Sequence, residues 1–171
     1  MGLLFSFKMS VIEIAKSYLG KTEKPSNAGF NDKIFEEKMK EVGFEKGQAW
    51  CCYFAELCFK EAIKDRYIGI EGLFSASTVQ TFQNFKKAKY EISNKPIEGA
   101  LVIWQNYKDG KPQWSGHAGV CVEVIDDTTF KSIEGNTNDD GSREGYEVAL
   151  KTRKVKEVKN GLKVLGFIKI D

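Results

Sequence analysis

The sequence predicts an α+β fold, with N-terminal helices packed on a C-terminal antiparallel sheet. Three observations carry that expectation. Apolar residues recur three and four apart through the first half of the chain, and alternating apolar and polar residues fill the second half. Asp, Asn and Gly pairs punctuate the second half at the spacing of hairpin turns. The length of 171 residues, with 42% hydrophobic and 29% charged content, suits one domain that buries roughly 70% of its unfolded surface. A single domain over 1–171 is therefore expected, with 1–9 a flexible extension.

The elements follow in order. Val11, Ile14, Ala15 and Tyr18 mark a first helix over 10–19, with Ser10 placed to cap it and Gly20 to end it. Pro25, Ser26, Asn27 and Gly29 make 21–29 a loop, and a second helix is expected over about 31–42. Gly43 and Gly47 interrupt the chain before Gln48-Ala49-Trp50-Cys51. From 51 to about 64 there is neither Gly nor Pro, and Phe54, Ala55, Cys58, Phe59, Ala62 and Ile63 recur at helical spacing. A fourth helix over 77–87 presents Val79, Phe82 and Phe85 inward. Strands are then expected over 100–104, 117–124, 129–134, 146–155 and 164–170. Asp109-Gly110, Asp126-Asp127, Asp139-Asp140-Gly141 and Asn160-Gly161 separate them.

Charge and composition exclude several classes. Lys and Arg exceed Asp and Glu by only 26 to 24, which gives no electrostatic basis for nucleic acid as a partner. The basic run 151–159 alternates with apolar residues and reads as the solvated face of a strand. The four cysteines lack the spacing of a disulfide scaffold, and free thiols are expected. The apolar patch 3–7 is too short for a secretory signal, and no segment reaches the roughly 20 apolar residues of a membrane span. Met1-Gly2 opens a loose myristoylation pattern. Synthesis in the cytoplasm as a monomer is the expectation.

The single histidine, His117, lies between the small residues Gly116, Ala118 and Gly119. Cys51 stands at a helix start, where unpaired backbone donors and the helix dipole favour a thiolate. A thiol nucleophile needs a base, and only one imidazole is present to serve. Taken alone, Cys51 reads equally as a buried core thiol. In a strand, His117, Gly119 and Cys121 share one face, so the histidine looks away from the core that Ala118, Val120 and Val122 would build. Glu134 and Asn136 share a face of a later strand, and either can orient the second imidazole nitrogen. Gln48 could donate its amide to an oxyanion alongside the Cys51 N–H. Cys52 lies about 100° around the helix from Cys51 and faces the same cleft less well.

Gln48-Ala49-Trp50-Cys51-Cys52-Tyr53-Phe54-Ala55, Gly99-Ala100-Leu101-Val102-Ile103-Trp104, Gly116-His117-Ala118-Gly119-Val120, Ile133-Glu134-Gly135-Asn136-Thr137 and Leu165-Gly166-Phe167-Ile168 resemble, in order, the landmarks of a CHAP domain. That family of cysteine- and histidine-dependent amidohydrolases/peptidases sits in the papain-like NlpC/P60 superfamily. The resemblance implies Cys51 as nucleophile, His117 as base, Glu134 as third polar residue and Asn136 as accessory orienter. Gln48, Trp50 and Trp114 are the expected oxyanion and substrate contacts. Gly99-Ala100 departs from the commoner Gly-Asp, and Cys52 stands where a small apolar residue is usual. The substrate implied is peptidoglycan, cleaved at a peptide or N-acylmuramoyl-L-alanine amide bond after delivery to the wall of a bacterium, as by a phage lysin or an amidase effector. An immunity or export partner is left open. A silent wall-binding or virion module, or a thiol acyltransferase on the same scaffold, are the alternatives.

Neither a metal nor a cofactor is expected. One histidine with these cysteines makes no zinc site. An EF-hand-like loop can be drawn through Asn136, Asn138, Asp140, Gly141 and Glu147, but it opens on Asn instead of Asp and has strands for flanks.

Overall fold

Three of the α-helices among the described residues begin where the sequence supplies a side-chain cap. In the computed structural model, which describes residues 9–137 and 145–170, Ser10 and Glu13 close a reciprocal capping box at the start of α1 (Val11–Ser17). Asp32 caps α2 (Lys33–Glu41) through the Phe35 N–H, and Ser77 caps α4 (Thr78–Lys87) through the Gln80 N–H. The central helix α3 (Cys51–Ile63) has no side-chain cap. It is apolar nearly all round and correspondingly buried, from Cys51 through Phe59 and again at Ala62 and Ile63.

Among the described residues six strands follow: β1 (Ile92–Ser93), β2 (Leu101–Lys108), β3 (Lys111–Val124), β4 (Thr129–Thr137), β5 (Glu147–Lys154) and β6 (Gly161–Ile168). They form one sheet in the order β1-β6-β2-β3-β4-β5, antiparallel throughout. The described chain is thus α+β, with the helices preceding the sheet as expected. Two strands are longer than their apolar cores. β2 and β3 extend through polar residues to a tight turn at Asp109 and Gly110, both in the left-handed region, and hairpin pairing needs no apolar alternation there. The two-residue β1 is too short to leave a periodic signal. All but Met9 of the expected N-terminal extension, the Gly2 pattern, the turn at Asp139-Asp140-Gly141 and most of the calcium-type loop lie outside the described residues.

One face of the sheet packs on the helices, with Leu101, Ile103, Ala118, Val120, Ile133 and Ile168 against α1, α3 and α4. The other face is not left to solvent. Val102, Trp104, Cys121, Phe130 and Phe167 form a second, smaller core there. Phe130 on β4 and Phe167 on β6 lie three strands apart, roughly 14 Å in a flat sheet at 4.7–4.9 Å per strand. Their ring centroids are 4.9 Å apart, so the sheet curls enough to bring the two side chains together on its concave face. His117 opens onto that concave face and is buried there, where the alternation of β3 alone suggested a solvent-facing residue.

Candidate active site

The β3–β4 ladder ends at the pair Val120↔Ile133, and beyond it the first turn of α3 packs against β4. Gly135 makes this approach possible: a Cβ there would fall 2.6 Å from the Trp50 ring and 2.8 Å from Phe54 Cβ, distances that real side chains do not adopt. Trp50 is the residue before the helix, so this contact sets where α3 starts. Cys51, its first residue, lies beside His117, close enough to raise the pKa of the imidazole. The first rung of α3 is Phe54 N–H to the Trp50 carbonyl at 2.9 Å. The N–H groups of Cys51, Cys52 and Tyr53 therefore belong to the donors a helix leaves outside its ladder.

His117 Nε2 meets Glu134 Oε2 at 2.7 Å, which leaves Nδ1 for the thiol. Glu134 is fully buried, and Gly119 gives it room, since a Cβ at 119 would sit 2.8 Å from Glu134 Cγ. Three further bonds hold its carboxylate. Ser132 Oγ donates to Oε1 at 2.6 Å, Arg153 Nε donates to Oε1 at 2.8 Å, and Arg153 Nη2 donates to Oε2 at 2.6 Å. Trp104 lies beneath the group, its ring centroid 5.5 Å from that of His117 and 5.5 Å from the Arg153 guanidinium carbon.

The electrostatics follow from these contacts. Burial works against the charged imidazole, yet Glu134 and Cys51 together raise the His117 pKa well above its ordinary value. Burial likewise disfavours the Glu134 carboxylate, but His117 and Arg153 hold its pKa well below the usual range. The other thiols differ. Burial beside Cys51 pushes Cys52 up to about 12 and keeps it against Thr81 Oγ1 at 3.3 Å. Cys121 is also pushed up to about 12, and Cys58 well above the ordinary thiol value, chiefly by burial.

Cys51 and His117 open into a cleft of about 640 Å³. Trp114, 86% exposed, and Asn136 are on its walls. Asn136 has φ +54°, at an irregularity in the β4–β5 register, so the simple alternation from Glu134 does not run through it. Two expected residues are elsewhere. Gln48 Oε1 accepts the Glu45 N–H at 2.9 Å, and Gln48 is not among the residues that line the cleft. Trp50 is fully buried and donates Nε1–H to Glu23 Oε2 at 2.9 Å, so it anchors the helix start and does not reach a substrate.

Arg153, Ser132 and Trp104 were missed in the sequence. The run 151–159 reads as a solvated strand face, but Ala149, Lys151 and Arg153 turn inward while Leu150 is 46% exposed. An arginine among lysines, in register with β4, was the available signal.

The family model described as CHAP domain matches residues 43–136, more than half of the chain. The chain belongs to the CHAP family. The matched span runs from the loop before α3 to the end of the Glu134-Gly135-Asn136 segment and contains Cys51, His117 and Glu134. Membership gives the protein hydrolase character of the cell-wall amidase and peptidase type. No curated protein matches the chain significantly. Among the described residues no helix is long and apolar enough to cross a membrane.

Proposed function

We propose that the protein hydrolyses peptide or N-acylmuramoyl-L-alanine amide bonds of peptidoglycan through a thioester on Cys51. The observation that carries this reading is Cys51 and His117 side by side on the wall of an open cleft, with His117 bonded to the buried Glu134. A helix-borne thiol, a strand-borne imidazole and a buried carboxylate are the parts and order of a papain-like site.

Cys51 gives its proton to His117, and Sγ attacks the scissile carbonyl carbon. The oxyanion forms against the Cys51 N–H, a donor at the positive end of α3. His117 then hands its proton to the departing nitrogen, the C–N bond breaks, and an amine leaves. Water enters, gives a proton to His117 and attacks the thioester. The carboxylic acid departs, and Cys51 recovers its proton. Glu134 keeps Nε2 protonated and Nδ1 aimed at sulfur throughout.

The protein would act at the bacterial wall, with Trp114 on the cleft rim as a platform for substrate. Digestion of purified sacculi followed by mass spectrometry tests the bond class. Soluble fragments with new amino termini and intact glycosidic bonds are expected. Fragments carrying only new reducing ends would overturn the reading. A thiol acyltransferase is the second reading on the same chemistry, and an added amine appearing in the products in place of water would select it.

A further inference from the structure

We propose that Arg153 is a positioning residue of this site, a clamp that keeps the Glu134 carboxylate oriented and charge-balanced while His117 gains and loses its proton. The inference rests on the Cys51–His117–Glu134 reading and adds a member to it.

A carboxylate has about four acceptor sites, and here four bonds arrive. Oε1 takes Arg153 Nε and Ser132 Oγ, and Oε2 takes Arg153 Nη2 and His117 Nε2. The guanidinium fork fixes the plane of the carboxylate, which a lysine ammonium, as a point charge, cannot do. Its neighbours on the strand, Lys151 and Lys154, are lysines. Arg153 reaches inward from β5, an edge strand, across the register pair Phe130↔Arg153. Its guanidinium rests over Trp104, which also backs the His117 ring.

The need for a second cation comes from the catalytic cycle. When His117 passes its proton to the leaving nitrogen, the imidazole becomes neutral. Glu134 would then be a fully buried carboxylate with no counter-charge, a costly state that drives such a group to take up a proton. Arginine remains charged at every working pH. With Arg153 in place, Glu134 stays an acceptor and returns His117 to the same tautomer after each transfer.

The test combines kinetics with the signal of the single histidine. Arg153→Met should lose activity, up to about a hundredfold as expected of a mispositioned catalytic group, and its acid limb of kcat/KM should move to higher pH. Arg153→Lys, which keeps the charge without the fork, should fall between Met and wild type and retain the wild-type acid limb. Arg153→Met/Glu134→Gln should be no slower than Glu134→Gln alone, because both act through one group. In protein labelled with ¹⁵N-histidine, the Nε2 proton should exchange slowly in wild type and quickly in Arg153→Met. An unchanged pH profile, losses that multiply in the double variant, or an unaltered Nε2 signal would each overturn the clamp. The histidine signal is read without substrate, so these failures are distinct from retained activity in Cys51→Ala, which would sink the parent reading.

Discussion

At the scale of single residues, the site separates two adjacent thiols that the sequence places side by side. Cys51 meets an imidazole at the cleft, whereas Cys52 points into the core with its pKa pushed up to about 12 by burial and by Cys51. His117→Ala should therefore lose on the order of 10³-fold in turnover, the scale of a general base. Combined with Cys51→Ala it should lose no more, since the pair acts as one unit. Steady-state kinetics on soluble wall fragments reads both. Glu134→Gln should lose less, and it carries a pH signature. Glu134 raises the His117 pKa, so its replacement lowers that pKa and moves the basic limb of kcat/KM toward neutral. That Cys51, His117 and Glu134 come together was legible because each sits in a landmark of the family order, His117 and Glu134 beside small residues. Arg153 was not, because a side chain crossing from an edge strand leaves no local pattern. Gln48 and Trp50 lie off the cleft for a related reason: spacing shows nearness to Cys51 but not the Glu45 and Glu23 partners that their polar groups meet.

At the scale of elements, the separation of Cys51 from His117 and Glu134 depends on how closely α3 approaches β4. Gly135 is the contact, with Trp50 and Phe54 where its Cβ would stand. Gly135→Ala should cost about 1–3 kcal/mol by overpacking. It should also reduce activity beyond that, because relief of the clash moves the helix start that carries Cys51. Thermal melts and kcat at a temperature where the variant is folded separate the two effects. Ser10→Ala, which removes the capping box of α1 far from the cleft, should cost about 1 kcal/mol and leave kcat unchanged. Helix starts were readable because caps are local chemistry. The full reach of β2 and β3 was not, because their polar arms are fixed by pairing across the hairpin.

For the whole molecule, the curled sheet explains why a buried ionic group stands on the face opposite the helices. Glu134 has its folded pKa below the unfolded value, so its stabilisation is present above about pH 4.3 and is lost as pH falls toward the folded value. His117 has its folded pKa raised, so its stabilisation is present below about pH 6.5 and is lost as pH rises through the folded value. The melting temperature should accordingly decline on both sides of that window, and His117→Ala should flatten the alkaline side. The α+β order and the antiparallel sheet were legible from two periodicities. The second core was not, since alternation shows that a strand has two faces without showing that curvature brings Phe130 to Phe167. The claim on which all of this turns is that Cys51 opens an amide bond of the wall. Release of free amino groups from purified peptidoglycan measures it most directly, because an amide and a peptide bond both yield an amine. Wild type and Cys52→Ala should release amines at comparable rates and Cys51→Ala none. Undiminished release by folded Cys51→Ala would contradict the account.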